Sequence, residues 1–280
     1  MIELKNLVKT FKSGQKEKIA VNGLSLKVES GEIFGLLGPN GAGKTTTVKM
    51  LTMALKPTSG NIYFEGKEIF SNTEEIKKII GVAPQHINFD ADLTAKENLY
   101  LHGRLYRMEK SEILRRSGEL LEYMELQNIA DSFTKILSGG EKRRLIIARA
   151  LMHSPKILFL DEPTVALDPK VRRRIWELLR NLKKDGVTIF LTTHYIEEAE
   201  FLADHAAILD KGKLVALDRP SALIEALGKY AVEWEENIKF FQTRTEAKEF
   251  YRGLDFDEAR VRKTNLEDVF LQKTGSNGDF

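Results

Sequence analysis

The run Gly38-Pro39-Asn40-Gly41-Ala42-Gly43-Lys44-Thr45 carries the chain's plainest chemical capacity. Glycines let a backbone wrap so closely round an anion that successive N–H groups point at its oxygens, and a helix starting directly behind the loop adds its positive end. A glycine, four intervening residues and then Gly-Lys-Ser/Thr is the pattern of a phosphate-binding loop. In such a loop Lys44 is expected to reach the terminal phosphates of a nucleotide and the Thr45 hydroxyl to ligate Mg²⁺, with Thr46 following in the same turn. A loop that cradles phosphate needs a carboxylate nearby for the metal. Ile157-Leu158-Phe159-Leu160-Asp161-Glu162 supplies one: four apolar residues ending in two acids read as a buried strand whose carboxyl end opens onto the ligand. Asp161 is expected to hold Mg²⁺, directly or through water, and Glu162 to orient and activate an attacking water as general base. A second glycine-bearing helix start, Leu137-Ser138-Gly139-Gly140-Glu141-Lys142, has Ser138 at an N-cap position and N–H groups free to bind an anion. The same residues also make an ordinary helix cap, and both readings stay open on the residues alone.

Elements must hold these residues. The first third reads as strands over 2–8, 19–28 and 32–37, with turn signals at Ser13-Gly14 and Ser30-Gly31. The third strand runs into the glycine loop, and helical periodicity follows over 44–55 until Pro57, Ser59 and Gly60 stop it. Residues 93–124, rich in Leu, Glu, Lys and Arg, predict helices of an inserted subdomain, and a further helix is expected from Gly139 to Leu151. Strand and helix then alternate: strand 156–160, helix 169–184, strand 187–191, helix 196–202 and strand 206–209. Alternation of this kind predicts an α/β fold with a mostly parallel sheet and helices on its faces. Asp168 is the expected N-cap of the helix that opens with Pro169, and Arg172, Arg173 and Arg174 on it read as a solvated face. Helix signals from Pro220, a short strand near 230–234, a last helix near 266–271 and a frayed tail over 274–280 complete the reading.

Composition narrows the chemistry. The 280 residues carry 43 Lys and Arg against 41 Asp and Glu, a formal charge of +2, which gives no support to a broad nucleic-acid-binding face. There is no cysteine, so disulfides, thiolate nucleophiles and cysteine-ligated metals are excluded. His86, His102, His153 and His205 form no metal-ligand spacing and receive no role. The charged start lacks the apolar core of a signal peptide, and every apolar run falls far short of the roughly 20 residues that span a bilayer.

Taken in order, these motifs resemble the ATP-binding-cassette (ABC) ATPases, the nucleotide-binding subunits of transporters. Residues 38–45 match the family's Walker A loop, 137–142 its signature and 157–162 its Walker B strand with the catalytic glutamate. Gln85 resembles the glutamine that touches Mg²⁺ and the transmembrane partner, Ala166-Leu167-Asp168 the D-loop, and His194 in Thr192-Thr193-His194 the switch histidine beside the γ-phosphate. Phe11 resembles the aromatic that stacks on adenine, where tyrosine is commoner; a ring face suffices for stacking, though Phe11 would serve equally as a core residue. The resemblance implies a P-loop NTPase core with an N-terminal antiparallel β subdomain and an inserted α-helical subdomain at about 88–153. An ATPase domain at 1–217 would precede a small α/β extension at 218–280. It also implies that the catalytic group comprises Glu162, His194, Lys44 and Gln85, and that Mg²⁺ is held by Thr45, Gln85 and Asp161. ATP would be gripped by Phe11 and the loop residues through Thr46 in one copy, and by Ser138, Gly139, Gly140 and Asp168 of another in a head-to-tail dimer. The implied partners are a paired ATPase subunit, identical or not, and an integral membrane permease at the cytoplasmic face of the membrane, with no nucleic acid. Leu266-Glu267-Asp268-Val269-Phe270-Leu271 with Thr274-Gly275, together with the residues from Thr192 to Glu200, resembles the ABC-2-type exporter branch for drugs, polysaccharides and sodium. The alternative is a non-transport member acting on ribosomes or nucleic acid; the long coiled coils or second cassette usual there are not in this sequence.

Overall fold

The first two strands, β1 (Ile2–Ser13) and β2 (Lys16–Val28), pair antiparallel and bury Ile2, Leu4 and Leu7 against Leu24, Leu26 and Val28. The chain is described from a computed structural model that places residues 1–14, 16–86, 88–254 and 259–275. β3 (Ile33–Leu37) is buried along its whole length and leads through the glycine loop into α1 (Lys44–Leu51). That helix is shorter than its periodicity predicts. Met53 takes a left-handed φ of +59° and the Leu55 N–H reaches back to the Lys49 carbonyl, so the last turn unwinds ahead of Pro57. β4 (Ser59–Phe64) and β5 (Lys67–Glu68) complete an antiparallel sheet of order β2-β1-β4-β5. α2 (Thr73–Ile79) runs directly into β6 (Ile80–Ala83), and sequence patterning foresaw none of β4, β5, α2 and β6.

The helical insertion consists of α3 (Ala95–Leu105), α4 (Lys110–Tyr123), two short 3₁₀ turns at Gln127–Ile129 and Thr134–Ile136, and α5 (Gly139–Ala150). Thr94 opens α3 with a capping box to Glu97. The α/β alternation follows as β7 (Ile157–Asp161), α6 (Pro169–Lys184), β8 (Thr188–Thr193), α7 (Ile196–Leu202), β9 (His205–Asp210) and β10 (Lys213–Asp218). The central sheet has the order β10-β9-β3-β8-β7-β6, parallel except for β10 at one edge. Its inner strands are continuous apolar runs because both faces are covered. Register sets Leu37 beside Thr193 and Asp161 beside Thr192, so the carboxyl ends of β3, β8 and β7 meet at one rim. Ligands of such sheets bind at that rim.

Beyond β10 come α8 (Pro220–Leu227), β11 (Tyr230–Trp234), β12 (Asn237–Phe241), α9 (Arg244–Arg252), β13 (Arg260–Lys263) and α10 (Leu266–Thr274). The three strands make their own antiparallel sheet, β12-β11-β13. α10 returns to the main body: Leu266, Val269 and Phe270 join Leu37, Ala199, Ala206 and Ile208 in one apolar cluster. Thr274, expected to fray, is helical, its hydroxyl donating to the Phe270 carbonyl; the expected tail beyond Gly275 lies outside the described residues. No helix among the described residues is long and apolar enough to cross a membrane.

Candidate active site

The phosphate loop is built so that only glycine fits its tightest point. Gly43 has φ +109°, and a Cβ there would lie 2.4 Å from the Ala20 carbonyl oxygen. It also begins α1 without a side-chain cap and with no acid in the first turn, which leaves the helix's positive end to a ligand. Lys44 is buried; its Nζ donates to the Gly38 carbonyl at 2.7 Å and the Pro39 carbonyl at 3.3 Å. Burial pulls its pKa below the ordinary lysine value, and the charges of Glu162 and Asp161 pull it back.

At the neighbouring strand end, Asp161 Oδ1 accepts from the Thr192 hydroxyl at 2.5 Å and the Thr45 hydroxyl at 3.3 Å. Glu162 turns into the left-handed region, φ +49°, with its N–H donating to the carbonyl and the hydroxyl of Thr192, both at 3.1 Å. A non-glycine residue held there stores strain, a feature that clusters at functional sites. The turn aims the carboxylate into the site. Oε2 accepts from Gln85 Nε2 at 2.9 Å, while Oε1 lies 3.3 Å from His194 Nδ1 and 3.8 Å from Lys44 Nζ. Three residues far apart in sequence, Lys44, Gln85 and His194, thus converge on the Glu162 carboxylate.

A cavity of about 270 Å³ opens beside them, lined by Phe11, Lys18, Ala20, Asn40, Gly41, residues 43–46, Gln85 and Glu162. Phe11 is 43% exposed on its wall and is not a core residue. Gly38 and Ala42 are buried and Pro39 half-buried at the back of the loop rather than on its face, with the carbonyls of Gly38 and Pro39 turned to Lys44. Lys18 was missed from sequence because a single basic residue on a strand has no motif.

The remaining expected contacts lie elsewhere. Ser138 opens α5 through a capping box in which Glu141 Oε2 accepts from the Ser138 N–H at 2.8 Å and its hydroxyl at 2.7 Å, while the Glu141 N–H donates to the Ser138 hydroxyl at 3.3 Å. The helix start expected to be open to an anion therefore carries the chain's own carboxylate. A Cβ on Gly140 would meet Val171 Cγ1 at 2.8 Å, so packing against α6 demands that glycine; a Cβ on Gly139 would meet nothing closer than Leu167 Cδ2 at 3.9 Å. Asp168 Oδ1 accepts from the N–H groups of Lys170 and Val171, both at 3.0 Å, as the expected cap of α6. Ala166, two residues earlier, has φ +58°.

Three further side chains complete the surroundings. Arg143 on α5 is buried against the backbone on either side of Glu162; burial lowers its pKa to about 10, partly opposed by Glu198, Asp161 and Glu162, so it stays charged. Glu198 is fully buried, accepts from the Thr164 hydroxyl and Trp176 Nε1, and has its pKa raised by burial. Arg172, expected on a solvated face, lies 4.2 Å over the Tyr195 ring, which itself packs 4.1 Å from the His194 ring. Arg173 and Arg174 are exposed as expected.

The Thr45 hydroxyl and the Asp161 carboxylate suit Mg²⁺, being hard oxygen donors close enough to be adjacent ligands of one small octahedral ion. Among the described residues no group of three His, Asp or Glu forms an all-protein cage. That too fits an ion which keeps waters and takes ligands from a nucleotide.

The family model described as "ABC transporter" matches residues 21–165, from β2 through the acids after β7. The chain belongs to the ABC transporter family. A shorter match, 135–198, is to a model described as "AAA domain, putative AbiEii toxin, Type IV TA system". Similar curated ABC proteins include the Nod factor export ATP-binding protein I of Burkholderia lata, 40% identical over 98% of this chain and 97% of that one. The protein of that name from Rhizobium sp. strain N33 is 41% identical with the same coverage. Among solved structures, a dimeric ATP-binding cassette in a post-hydrolysis state with ADP and Pi matches with a TM-score of 0.72 and 34% identity, over 78% of this chain and 98% of that one. An ATP-binding subunit of an ABC transporter, 24% identical, shares the fold over 97% of this chain and 98% of that one, TM-score 0.74. The chain is accordingly an ABC ATPase, an ATP-binding and ATP-hydrolysing subunit of a transporter.

Proposed function

We propose that this ABC subunit closes head-to-tail on a second ATPase subunit around two molecules of Mg·ATP and so drives a separate membrane permease in the export direction. The observation that carries the reading is the convergence of Lys44, Gln85 and His194 on the Glu162 carboxylate beside an open phosphate loop. In the proposed chemistry the N–H groups of Asn40, Gly41 and residues 43–46, with the Lys44 ammonium, hold the β- and γ-phosphates, and Phe11 offers its ring to the base. Mg²⁺, held by Thr45 and Asp161 with Gln85 beside it, would neutralise charge on the phosphate oxygens. Glu162 takes the proton of the attacking water, Gln85 positions that water, and His194 reports on the γ-phosphate from the end of β8. Lys44 would leave Glu162 for the phosphates, freeing the carboxylate.

Gly139 leaves room at the start of α5 for phosphate brought by a second copy: among the described residues a Cβ there would meet Leu167 Cδ2 at 3.9 Å. The dimeric state of the similar cassette, and the export named in the curated relatives, support the pairing and the direction. We assign 1–217 to the ATPase unit, with residues 88–153 as the part that faces the permease at the cytoplasmic side of the membrane. Residues 218–280 form an appended lobe.

The test is Glu162→Gln. Turnover should fall about 10²- to 10⁴-fold, as for loss of a general base, with ATP still bound and an ATP-dependent dimer accumulating on a sizing column. Wild-type turnover by this variant would defeat the assignment.

A further inference from the structure

Arg143 lies within the basic run Lys142-Arg143-Arg144 yet is only 3% exposed. Its guanidinium faces backbone carbonyls. Nε donates to the Pro163 carbonyl at 2.7 Å, Nη2 to the Asp161 carbonyl at 2.8 Å, and Nη1 to the Pro84 carbonyl at 2.7 Å with the Gln85 carbonyl at 3.5 Å. One rigid fork therefore grips the main chain before and after Glu162 and, across from it, the segment that carries Gln85. Both gripped segments need holding. Glu162 sits in a left-handed conformation that its own residue type disfavours, and Gln85 belongs to a loop leaving an edge strand. Because the acceptors are carbonyls, the side chain fixes positions rather than pairing charges.

We propose that Arg143 is a positioning residue for ATP hydrolysis: from α5 it holds Glu162 and Gln85 at their mutual contact, so the helix that begins at Ser138 and the general base move as one piece. Events at the Ser138 end of α5 thereby reach the chemistry in the same chain. The proposal rests on Glu162 being the general base.

The experiment compares Arg143→Met and Arg143→Lys, each alone and combined with Gln85→Ala, in the full chain with Mg·ATP. ATP affinity, kcat, KM and melting temperature are measured for each. A lysine can keep one of the bonds and a methionine none. ATP affinity and KM should stay within about threefold of wild type, while kcat falls about 100-fold for Met and about tenfold for Lys, in line with lost hydrogen bonds from a charged donor. In the Gln85→Ala background the effect of Arg143→Met should shrink to less than about fivefold, because one of the two groups it sets is gone. A purely structural arginine would give additive losses, or lower affinity and turnover together; either result overturns the proposal, as does wild-type kcat in the Lys variant. Should Arg143→Met not fold, Arg143→Lys decides by the same criteria. Normal turnover by Glu162→Gln, run alongside, would overturn the general-base reading and this proposal with it, whereas slow Glu162→Gln with wild-type Arg143→Lys overturns this proposal alone.

Discussion

α1 starts behind a glycine-rich turn and α5 starts on a pair of glycines, and the two use the same dipole in opposite ways. α1 begins at Gly43, left-handed and without a side-chain cap, and keeps Lys44 buried beside the opening. α5 begins at Ser138, whose capping box brings Glu141 to the N-terminus. The first start is ready to receive phosphate by itself. The second already has a carboxylate beside its first turn, bonded to the N–H and hydroxyl of Ser138, so an anion arriving there meets the charge of Glu141.

The sharpest test of that contrast exchanges alanine for glycine at each start. Gly43→Ala forces a Cβ against the Ala20 carbonyl at φ +109° and should cost more than about 3 kcal/mol, abolishing measurable ATP binding in a titration. Gly139→Ala should leave the melting temperature and monomer ATP affinity unchanged yet prevent ATP-dependent pairing on a sizing column. Equal behaviour of the two variants would erase the distinction. Next in size, Ser138→Ala removes the cap and should lower stability by about 1 kcal/mol in a denaturant melt, with ATP affinity of the monomer unaffected. Glu141→Gln keeps an acceptor for the box but removes the charge, and should tighten ATP-dependent pairing several-fold, most visibly at low salt. The smallest effect is in acid. The hydroxyl and N–H of Ser138 hold the Glu141 carboxylate below its ordinary pKa of 4.5. Its contribution to stability is therefore present above that value and lost as pH falls through the lowered one. The stability of wild type should exceed that of Glu141→Gln above that window, by a few tenths of a kcal/mol for so exposed a pair, and the difference should disappear as pH falls through it in an acid titration.

The site residues were largely legible because each lies in a short motif at the end of a strongly patterned element. Lys44 follows the loop behind a buried strand, Glu162 comes just after the end of another, and His194 just after a third. What a linear pattern does not contain is the left-handed turn at Glu162 that points it toward Gln85, Lys44 and His194, nor the burial that turns Arg143 from one of several basic residues into a clamp. Among the elements, β4 hid behind its opening Ser59-Gly60-Asn61, and β6 runs on from α2 with no punctuation between helix and strand. α9 left a readable trace, the Thr243 to Glu246 capping box, that went unread amid a charged stretch.

Of the strands that carry the groups around Glu162, β3, β7 and β8 are each paired on both sides, but β6, which leads to Gln85, is paired among the described residues with β7 alone. A pull on that flank of the sheet has a single ladder to loosen, against two at β3, β7 and β8. Gln85 is thus the group of the four whose strand has the least support from the sheet, and the Arg143 fork on the Pro84 and Gln85 carbonyls supplies the anchorage that a second neighbouring strand would otherwise give.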